Sequence, residues 1–262
     1  MSESPFVQIE DRGPVRYLTL SQPERKNAVP DTGWDEIIDA LNGFADSVQR
    51  VLVIRGAQHD FCSGVDLNIE ALDDLGSPAV GHRYMQGPGR AAVALHRIPK
   101  PTVAAVDGTA MGAGMNLAIG CDIVVATTRA RFSEVFVHRG LTLDFGGTWL
   151  LPRLVGMGRA RELALTGRVV EAAEALSIGL VSRVVEVGDL ATAVDELALQ
   201  LAAGAPLAQR FIKAGLSRSF DLTFEQAIAF EDQSQAALLA SDDLREGVQA
   251  FLDKRLPEFR GR

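Results

Sequence analysis

Residues 102–126 read TVAAVDGTAMGAGMNLAIGCDIVVA, a stretch that places two apolar runs on either side of a glycine-bearing segment. The runs at 102–106 and 123–126 are short and continuous, which is typical of strands that are buried on both faces. Residues 111–120, between them, have the length and apolar composition of a buried helix. Because strands joined through a helix pair in parallel by a crossover, this stretch predicts an α/β fold.

The same alternation of strand and helix extends toward the N-terminus. Residues 15–20 (VRYLTL) alternate in polarity and are rich in β-branched and aromatic side chains, and residues 51–56 (VLVIRG) form another continuous apolar run. Both segments therefore predict strands. Residues 83–96 have a helical pattern, and Asp31 or Thr32 is the predicted cap of a helix between the first two strands.

Beyond about residue 146, one helix-like segment follows another, with a short strand-like stretch at 181–186. The predicted helices cover residues 158–166, 172–178, 190–203, 224–239 and 242–255. We therefore divide the chain into an α/β core over residues 1–190 and a helical C-terminal region over residues 191–262. The stretch at 73–89 contains several glycines and prolines and predicts a mobile loop.

The composition argues against several classes of protein. A formal net charge of −8 disfavours broad nucleic-acid binding, which depends on clustered Lys and Arg. The N-terminus lacks the pattern of a secretory signal, and the most apolar stretch is interrupted by Asp107, Asn116 and Asp122, so no membrane span is expected. The two cysteines make no disulfide framework, and the four histidines have no metal-ligand spacing. We expect a cytoplasmic protein without a metal.

Three glycine-bearing loops stand at the ends of predicted strands. Their sequences are DFCSGVDL at 60–67, VDGTAMGAGM at 106–115 and GLTLDFGGTW at 140–149. Each loop alone is also explained by the use of glycine in turns and in close helix packing. None has the spacing of a phosphate-binding P-loop, of a dinucleotide-binding G-x-G-x-x-G motif or of the G-x-S-x-G elbow of a nucleophilic serine.

Taken in order along the chain, these segments resemble the crotonase (enoyl-CoA hydratase/isomerase) family. PERKNAV at 23–29 is similar to the family's coenzyme-binding turn, and the first two loops are similar to its two oxyanion segments. Residues 165–185 and 245–259 resemble its later helix-turn stretch and its C-terminal helix. The resemblance covers nearly the whole chain, and GGTWLLPR and REGVQAFLDKR look especially like the bacterial ring-1,2-epoxyphenylacetyl-CoA isomerases.

The resemblance implies a crotonase-like spiral of ββα units with a helical C-terminal trimerisation region. It also implies assembly as a homotrimer or as a dimer of trimers. The implied substrate is an acyl-CoA thioester of the kind met in fatty acid metabolism, with coenzyme A as part of the substrate and no separate cofactor. Neither a nucleic acid nor a membrane is an implied partner.

The chemistry of the implied reaction explains the two oxyanion segments. Removing a proton next to a thioester places negative charge on the carbonyl oxygen, and two backbone N–H groups aimed at that oxygen stabilise the charge. The resemblance places these donors at Val65 and Ala113. Because a backbone donor does not depend on its side chain, both non-glycine residues are compatible with the role. The helix that follows the second loop adds a favourable dipole.

The resemblance also locates the positions at which hydratases carry two carboxylates to activate water. In this sequence those positions hold Asn116 and Phe136, neither of which is an acid. Glu134 stands close to the second position and is interpreted as a solvated side chain. Ordinary hydration of an enoyl-CoA is therefore not expected.

One acid stands where isomerases of the family carry theirs, and this is Asp144 in LTLDFGGTW. Its apolar neighbours Leu143, Phe145 and Trp149 are expected to desolvate the carboxylate and raise its pKa, which makes it a better proton carrier near neutral pH. The structural alternative is an aspartate that caps a helix or forms a turn before the two glycines.

Further residues are predicted to bind the substrate because they match binding positions of the family. Arg25 and Lys26 are placed to meet coenzyme phosphates, with a solvated basic pair as the alternative, and Asn116 is either a substrate ligand or a satisfied buried amide. Phe251 and Lys254 match positions that reach the adenine and phosphates of coenzyme A, often from a neighbouring subunit. The predicted binding set is completed by Ala28, Asp66, Leu67 and Phe136.

We therefore predict an enoyl-CoA isomerase in which Asp144 removes a proton from the α or γ carbon and returns it at the other carbon. The Val65 and Ala113 N–H groups hold the enolate oxygen meanwhile. Within the same family, the alternatives are a hydratase-type lyase with atypical acid and base groups, or another enolate reaction such as ring opening. In a different class, the alternative is a catalytically degenerate subunit that binds acyl-CoA.

Overall fold

The computed structural model describes residues 5–66 and 77–262. The strands within these residues are β1 (Val7–Arg12), β2 (Val15–Leu20), β3 (Val51–Gly56), β4 (Thr102–Val106), β5 (Thr109–Met111), β6 (Ile123–Thr127), β7 (Arg131–Ser133), β8 (Val170–Glu171) and β9 (Arg183–Val185). The helices are α1 (Gly33–Ala45), α2 (Pro78–Arg97), α3 (Ala113–Ile119), α4 (Gly147–Val155), α5 (Met157–Thr166), α6 (Ala172–Ser177), α7 (Leu190–Ala202), α8 (Pro206–Arg218), α9 (Phe224–Leu239) and α10 (Asp242–Asp253). Short 3-10 helices cover Pro23–Arg25, Val135–Arg139 and Val187–Asp189.

Six of the strands form one sheet in the order β1-β2-β3-β4-β6-β9, and β5, β7 and β8 form a smaller one. From β2 onward the strands of the large sheet pair in parallel, as the predicted crossovers require. Strands β1 and β2 instead form an antiparallel hairpin. Because β3 and β4 run in the same direction, the first two glycine loops begin at the same edge of the sheet.

Alternating side chains of the central strands supply two hydrophobic cores, one on each face of the large sheet. Leu52 and Ile54 of β3 belong to the larger core, which includes buried residues of α1. Val51 and Val53 belong to the smaller core, which α7 covers. Because both faces of β3 are buried, its sequence is continuously apolar, and this is the pattern that predicts it.

Most predicted elements are confirmed, several with changes at their ends. Strands β2, β3 and β4 and helix α9 have the predicted bounds. Helix α3 begins at Ala113 rather than at residue 111, because Thr109–Met111 pairs in parallel with β7 as strand β5. Strand β1 and helix α8 have no counterpart among the predicted elements.

The prediction of a mobile loop over residues 73–89 is wrong for the part that the structure describes, and residues 73–76 lie outside the described residues. Helix α2 begins at Pro78, a residue type suited to the first helical position. A Cβ at Gly87 would lie 3.2 Å from the Trp34 side chain on α1. Glycine there allows α2 to pack closely on α1. The helix predicted over residues 83–96 is confirmed, and it begins earlier, at Pro78.

The C-terminal helices differ in how they pack. Helix α7 lies on the large sheet, where it buries Val194, Ala198 and Ala202, although it begins at the predicted boundary between the two regions. The division at residue 190 itself stays a prediction. Helices α8 to α10 and the turns between them expose large apolar side chains, among them Leu216, Phe220, Phe224, Leu239 and Phe251.

None of the helices described combines the length and the apolar composition that crossing a bilayer requires. The longest of them, α2, carries charged and polar side chains along its length, among them Arg83, Arg90 and Arg97. Of its apolar side chains, Ala91 and Leu95 are buried in the larger core, whereas Met85 and Val93 are exposed.

Candidate active site

The first two glycine loops lie against each other at the carboxyl ends of β3 and β4. Cys62 in the first loop pairs with Ala110 in the second, and the Met111 amide donates to the Cys62 carbonyl across 3.0 Å. Gly64 has a φ of +99°, which side chains rarely adopt, and a Cβ there would lie 3.0 Å from the Met111 carbonyl oxygen and 3.8 Å from the Ala113 nitrogen. Glycine at this position therefore keeps the space beside the Ala113 amide open.

Val65 and Ala113 carry the two predicted oxyanion donors, and neither amide donates to a backbone oxygen of the described residues. Ala113 is the first residue of α3, so its N–H has no partner within the helix. The amides of Asp66 and Gly112, next to them in sequence, are by contrast bonded to backbone carbonyls. The two loops thus present unpaired N–H groups, as an oxyanion site requires, and the catalytic role of these groups stays a prediction.

The PERKNAV turn at 23–29 packs against the first loop. Asn27 is fully buried with a φ of +55°, and its Nδ2 donates to the carbonyls of Ala57 at 2.9 Å and Asp60 at 2.7 Å. Its Oδ1 accepts a hydrogen bond from the Gln22 amide at 2.9 Å. This buried side chain therefore fixes the turn to the chain that leaves β3, a contact that the motif alone does not predict.

Three of the predicted binding residues, Arg25, Lys26 and Ala28, lie in this turn, and a fourth, Asp66, is paired with it. Arg25 forms a 2.6 Å ion pair with Asp66, and its side chain is 51% exposed. Lys26 is exposed and Ala28 is buried. Leu67, the remaining binding residue predicted in this loop, lies outside the described residues. The participation of these residues in coenzyme binding stays a prediction.

Asp144 lies in the third glycine loop, just before α4, and its carboxylate is largely buried. Its Oδ1 is enclosed and has no hydrogen-bond partner among the residues described. Burial raises the pKa of this carboxyl to about 6, which is the direction predicted from its apolar neighbours. At neutral pH the group is mostly ionised and its conjugate acid is readily formed, so the carboxylate is suited to carrying a proton.

Of the structural alternative for Asp144, the capping role is wrong, and the turn before the two glycines is confirmed. Helix α4 follows Gly146 and has no side-chain cap, and the Asp144 carbonyl, not the carboxylate, accepts from the Gly147 amide at 2.8 Å. Phe145 has a φ of +47°, a strained conformation for a residue with a side chain, and its ring centre lies 5.8 Å from that of Trp34. The loop is therefore held by its backbone and by Phe145, and the carboxylate Oδ1 has no hydrogen-bond partner among the described residues.

Asn116 and Phe136, at the positions where hydratases carry acids, border the same loops. Asn116 is fully buried, and its Nδ2 donates to the Asp144 carbonyl at 3.0 Å and to Glu134 Oε2 at 3.3 Å. Its Nδ2 is therefore occupied by the protein, whereas its Oδ1 has no partner among the described residues. The ring of Phe136 lies 3.4 Å from the place of a Cβ on Gly112, so it packs against the turn into α3.

The interpretation of Glu134 as a solvated side chain is wrong. The residue is 1% exposed, and burial raises the pKa of its carboxyl to about 8, with the charge of Asp144 acting in the same direction. The sequence does contain a signal for this burial. Two aromatic residues, Phe132 and Phe136, flank Glu134 in sequence, and both are buried in the structure, although β7 ends at Ser133 and Phe136 belongs to a 3-10 helix.

Tyr84 on α2 is a neighbour of the site that the sequence prediction missed. Burial raises the pKa of its hydroxyl, and the negative charges of Asp31, Asp144 and Asp66 act in the same direction, Asp31 also through a hydrogen bond. Helix α2 therefore brings a phenol close to the loop of Asp144. The sequence pattern does not single out Tyr84, because its nearness to Asp144 depends on how α2 packs and not on its neighbours in sequence.

Phe251 and Lys254 lie at the end of α10 on an exposed surface. The Phe251 side chain is 82% exposed, and Lys254 follows the helix in a left-handed conformation. Their contact with a coenzyme stays a prediction. Within residues 5–66 and 77–262, no three His, Cys, Asp or Glu side chains are grouped as metal ligands would be.

The fold and these loops agree with what comparison with known proteins finds. The family model for enoyl-CoA hydratase/isomerase matches residues 10–262, and the chain belongs to this family, the crotonase family, as an enzyme. It is 38% identical over 250 residues to the 1,2-epoxyphenylacetyl-CoA isomerase of Escherichia coli, with 95% of each chain covered. It is 33% identical over 256 residues to the short-chain-enoyl-CoA hydratase of Clostridium acetobutylicum, again with 95% of each covered.

A solved structure confirms the predicted fold class. The crystal structure of an enoyl-CoA hydratase from a Polaromonas species matches with a TM-score of 0.91 and 34% sequence identity, and the match covers 97% of this chain and 99% of that chain. The α/β core and the helical C-terminal region are therefore those of a crotonase fold.

Proposed function

We propose that this enzyme isomerises an enoyl-CoA thioester, by shifting a double bond or rearranging a ring, with Asp144 as its single proton carrier. The observation that carries the proposal is the largely buried carboxylate of Asp144, whose Oδ1 has no partner among the described residues. Asn116 and Phe136 stand at the positions of the hydratase acids, which favours proton transfer over the addition of water. That one relative is named an isomerase also supports it.

In the proposed mechanism, Asp144 removes a proton from the α or γ carbon of the acyl group. Negative charge then moves to the thioester oxygen, where the Val65 and Ala113 N–H groups stabilise it. Asp144, now protonated, delivers the proton to the other carbon, so the acid is regenerated as the base in each turnover. Coenzyme A enters as part of the substrate, and this scheme needs no other cofactor.

The choice of substrate tests the proposal directly. We expect isomerisation of a 3-enoyl-CoA to the 2-enoyl-CoA to exceed hydration of a 2-enoyl-CoA, because Asp144 carries the proton and neither hydratase position holds an acid. Ultraviolet absorbance of the conjugated thioester, with mass spectrometry of the products, follows both reactions. A panel of 3-enoyl, 2-enoyl and epoxyphenylacetyl thioesters also distinguishes a double-bond shift from a ring rearrangement.

Fast hydration of crotonyl-CoA, on the order of 10–1000 per second as in efficient enzymes, would contradict the proposal. It would favour the second candidate, a hydratase-type lyase with atypical groups, and one observation does favour that candidate. Glu134 is a second buried carboxyl, linked through Asn116 to the Asp144 loop, so the site contains two acids after all. Turnover of any thioester in the panel would reject the third candidate, a degenerate acyl-CoA-binding subunit.

The proposal extends to how the substrate is held and how the chains assemble. Arg25, Lys26 and Ala28 are proposed to bind the coenzyme beside the first loop, and Phe251 and Lys254 are proposed to reach it from a neighbouring subunit. The exposed apolar side chains of α8 to α10 support association of these helices with other copies. A homotrimer, or a dimer of trimers, is the assembly that the family resemblance implies.

A further inference from the structure

Two buried polar side chains from separate parts of the chain meet at the backbone of the proposed proton carrier. Asn116 on α3 lies between Glu134, which precedes the 3-10 helix Val135–Arg139, and Asp144. Its Nδ2 donates to Glu134 Oε2 at 3.3 Å and to the Asp144 carbonyl at 3.0 Å. One buried amide thus connects the Glu134 carboxyl to the backbone of the residue that carries the proton.

The surroundings of Glu134 suit a neutral acid and not a carboxylate. The side chain is 1% exposed, and within the described residues no Lys, Arg or His forms an ion pair with it. An ionised carboxylate buried without a cation is strongly unfavourable, so such a group takes up a proton instead. Of the groups on the elements packed around it, Asp144 supplies a negative charge that disfavours a second one. The Asn116 hydrogen bond acts in the opposite direction, but burial outweighs it and raises the pKa of the Glu134 carboxyl to about 8.

A neutral acid at this position would also supply what the cluster lacks. Among the residues described, Glu134 Oε1 and Asn116 Oδ1 are both buried oxygens without a donor. A protonated carboxyl brings one O–H to a group of buried acceptors. The amide itself is confined from the other side, because a Cβ on Gly147 would lie 2.5 Å from its Nδ2.

We propose that Glu134 is a positioning residue for Asp144, acting as a neutral acid through the Asn116 amide. The proposal rests on the proposed function, in which Asp144 carries the proton. Glu134 orients Asn116, and Asn116 holds the Asp144 carbonyl in a loop whose next residue, Phe145, has a strained φ of +47°. Because Glu134 is enclosed, it acts through these neighbours and does not touch the substrate.

Two substitutions of Glu134 test the proposal. Glu134→Gln keeps the shape and the neutral hydrogen-bonding groups, so we expect its kcat between pH 6 and 7 to stay close to that of the wild type. Glu134→Leu removes the acceptor for Asn116, so we expect a fall in kcat of about tenfold, the effect of one lost hydrogen bond, with KM unchanged. Glu196→Gln, an exposed glutamate on α7, is the matched control.

The dependence of kcat on pH separates the positioning role of Glu134 from a purely structural role. In the wild type, ionisation of Glu134 above about pH 8 adds a negative charge beside Asp144 and the forming enolate, so kcat is expected to fall there. Glu134→Gln cannot ionise, and the fall should be absent. In an Asp144→Asn background, Glu134→Leu should cause little further loss, because both changes act on the same proton transfer.

Each outcome decides the proposal. If Glu134→Gln loses as much activity as Glu134→Leu, the Glu134 proton is itself transferred, and the positioning role is wrong. If Glu134→Leu keeps the wild-type kcat, Glu134 does not position Asp144. If Glu134→Leu does not fold, the profile of Glu134→Gln is decisive, and an unchanged fall above pH 8 overturns the proposal. If Asp144→Asn is inactive and both Glu134 variants have the wild-type kcat, this inference is wrong and the proposed function is unaffected.

Discussion

Replacing Asp144 by Asn is expected to lower turnover by about 100- to 10,000-fold, while the affinity for the coenzyme thioester should stay close to that of the wild type. The amide keeps the shape of the side chain but cannot carry a proton. Binding is expected to survive, because the proposed coenzyme contacts lie on other loops. Steady-state kinetics with a 3-enoyl-CoA, together with calorimetric titration of a thioester, measure the two effects separately.

Thermal unfolding distinguishes a loss of chemistry from a loss of folding in this variant. Folding raises the pKa of Asp144 from 3.8 to about 6, so the stability that its protonated form contributes is present below pH 3.8 and lost as pH rises through 6. At pH 7 the Asn variant should therefore be at least as stable as the wild type. The control is Asp189→Asn, which removes an exposed carboxylate at the start of α7. It should change neither the turnover nor the thermal stability. Wild-type turnover in Asp144→Asn would show that another group carries the proton.

Ala113→Pro should lower turnover by roughly 100- to 1000-fold, the effect of losing one oxyanion donor. Ala113 is the first residue of α3, where proline is tolerated because the missing N–H has no helical partner. Gly112 before it has a φ of +53° and a ψ of −125°, outside the right-handed helical region that proline disfavours in the preceding residue. The substitution thus replaces the N–H by a ring carbon with little change in the helix.

The control for this substitution is Ala113→Gly, which retains the N–H and should retain most of the turnover. Thermal unfolding of both variants, compared with the loss of kcat, separates the donor from the packing of this buried position. If Ala113→Pro folds and turns over at a near-normal rate, the second oxyanion donor lies elsewhere. If Ala113→Gly loses as much activity as Ala113→Pro, the side chain matters and not the amide.

Local sequence patterns predict the central part of the fold because its strands are buried on both faces. Strand β3 is apolar at every position from Val51 to Ile54, and the two faces of the strand enter two different cores. Helix α2 is a mixed case. Its residues 83–96 have a helical pattern, whereas its glycines and prolines favour a loop at its start, and Gly87 lies against Trp34, a contact between residues far apart in the chain. Such contacts are not visible in a local pattern.

Some residues of the candidate site can likewise be predicted from short stretches of sequence, and others cannot. Val65, Ala113 and Asp144 are placed by the resemblance of short, contiguous motifs to those of the family, and such motifs can be recognised in a single sequence. Glu134 and Tyr84 were missed or misinterpreted, since their burial depends on which elements pack over them. Packing between distant parts of the chain thus sets the protonation state of these groups. A single sequence does not show that packing directly.

The central claim, that one aspartate both removes and returns the proton, is tested most directly by following a label. A 3-enoyl-CoA with deuterium on its α carbon is converted by the wild-type enzyme in ordinary water, and the 2-enoyl-CoA product is examined by mass spectrometry and NMR. Asp144 takes up the deuteron from the α carbon and, because its carboxyl is largely buried, returns much of it before exchange with water. The account predicts deuterium on the γ carbon of the product. A γ carbon that carries hydrogen from the solvent alone would contradict it, and would indicate separate groups for removing and delivering the proton.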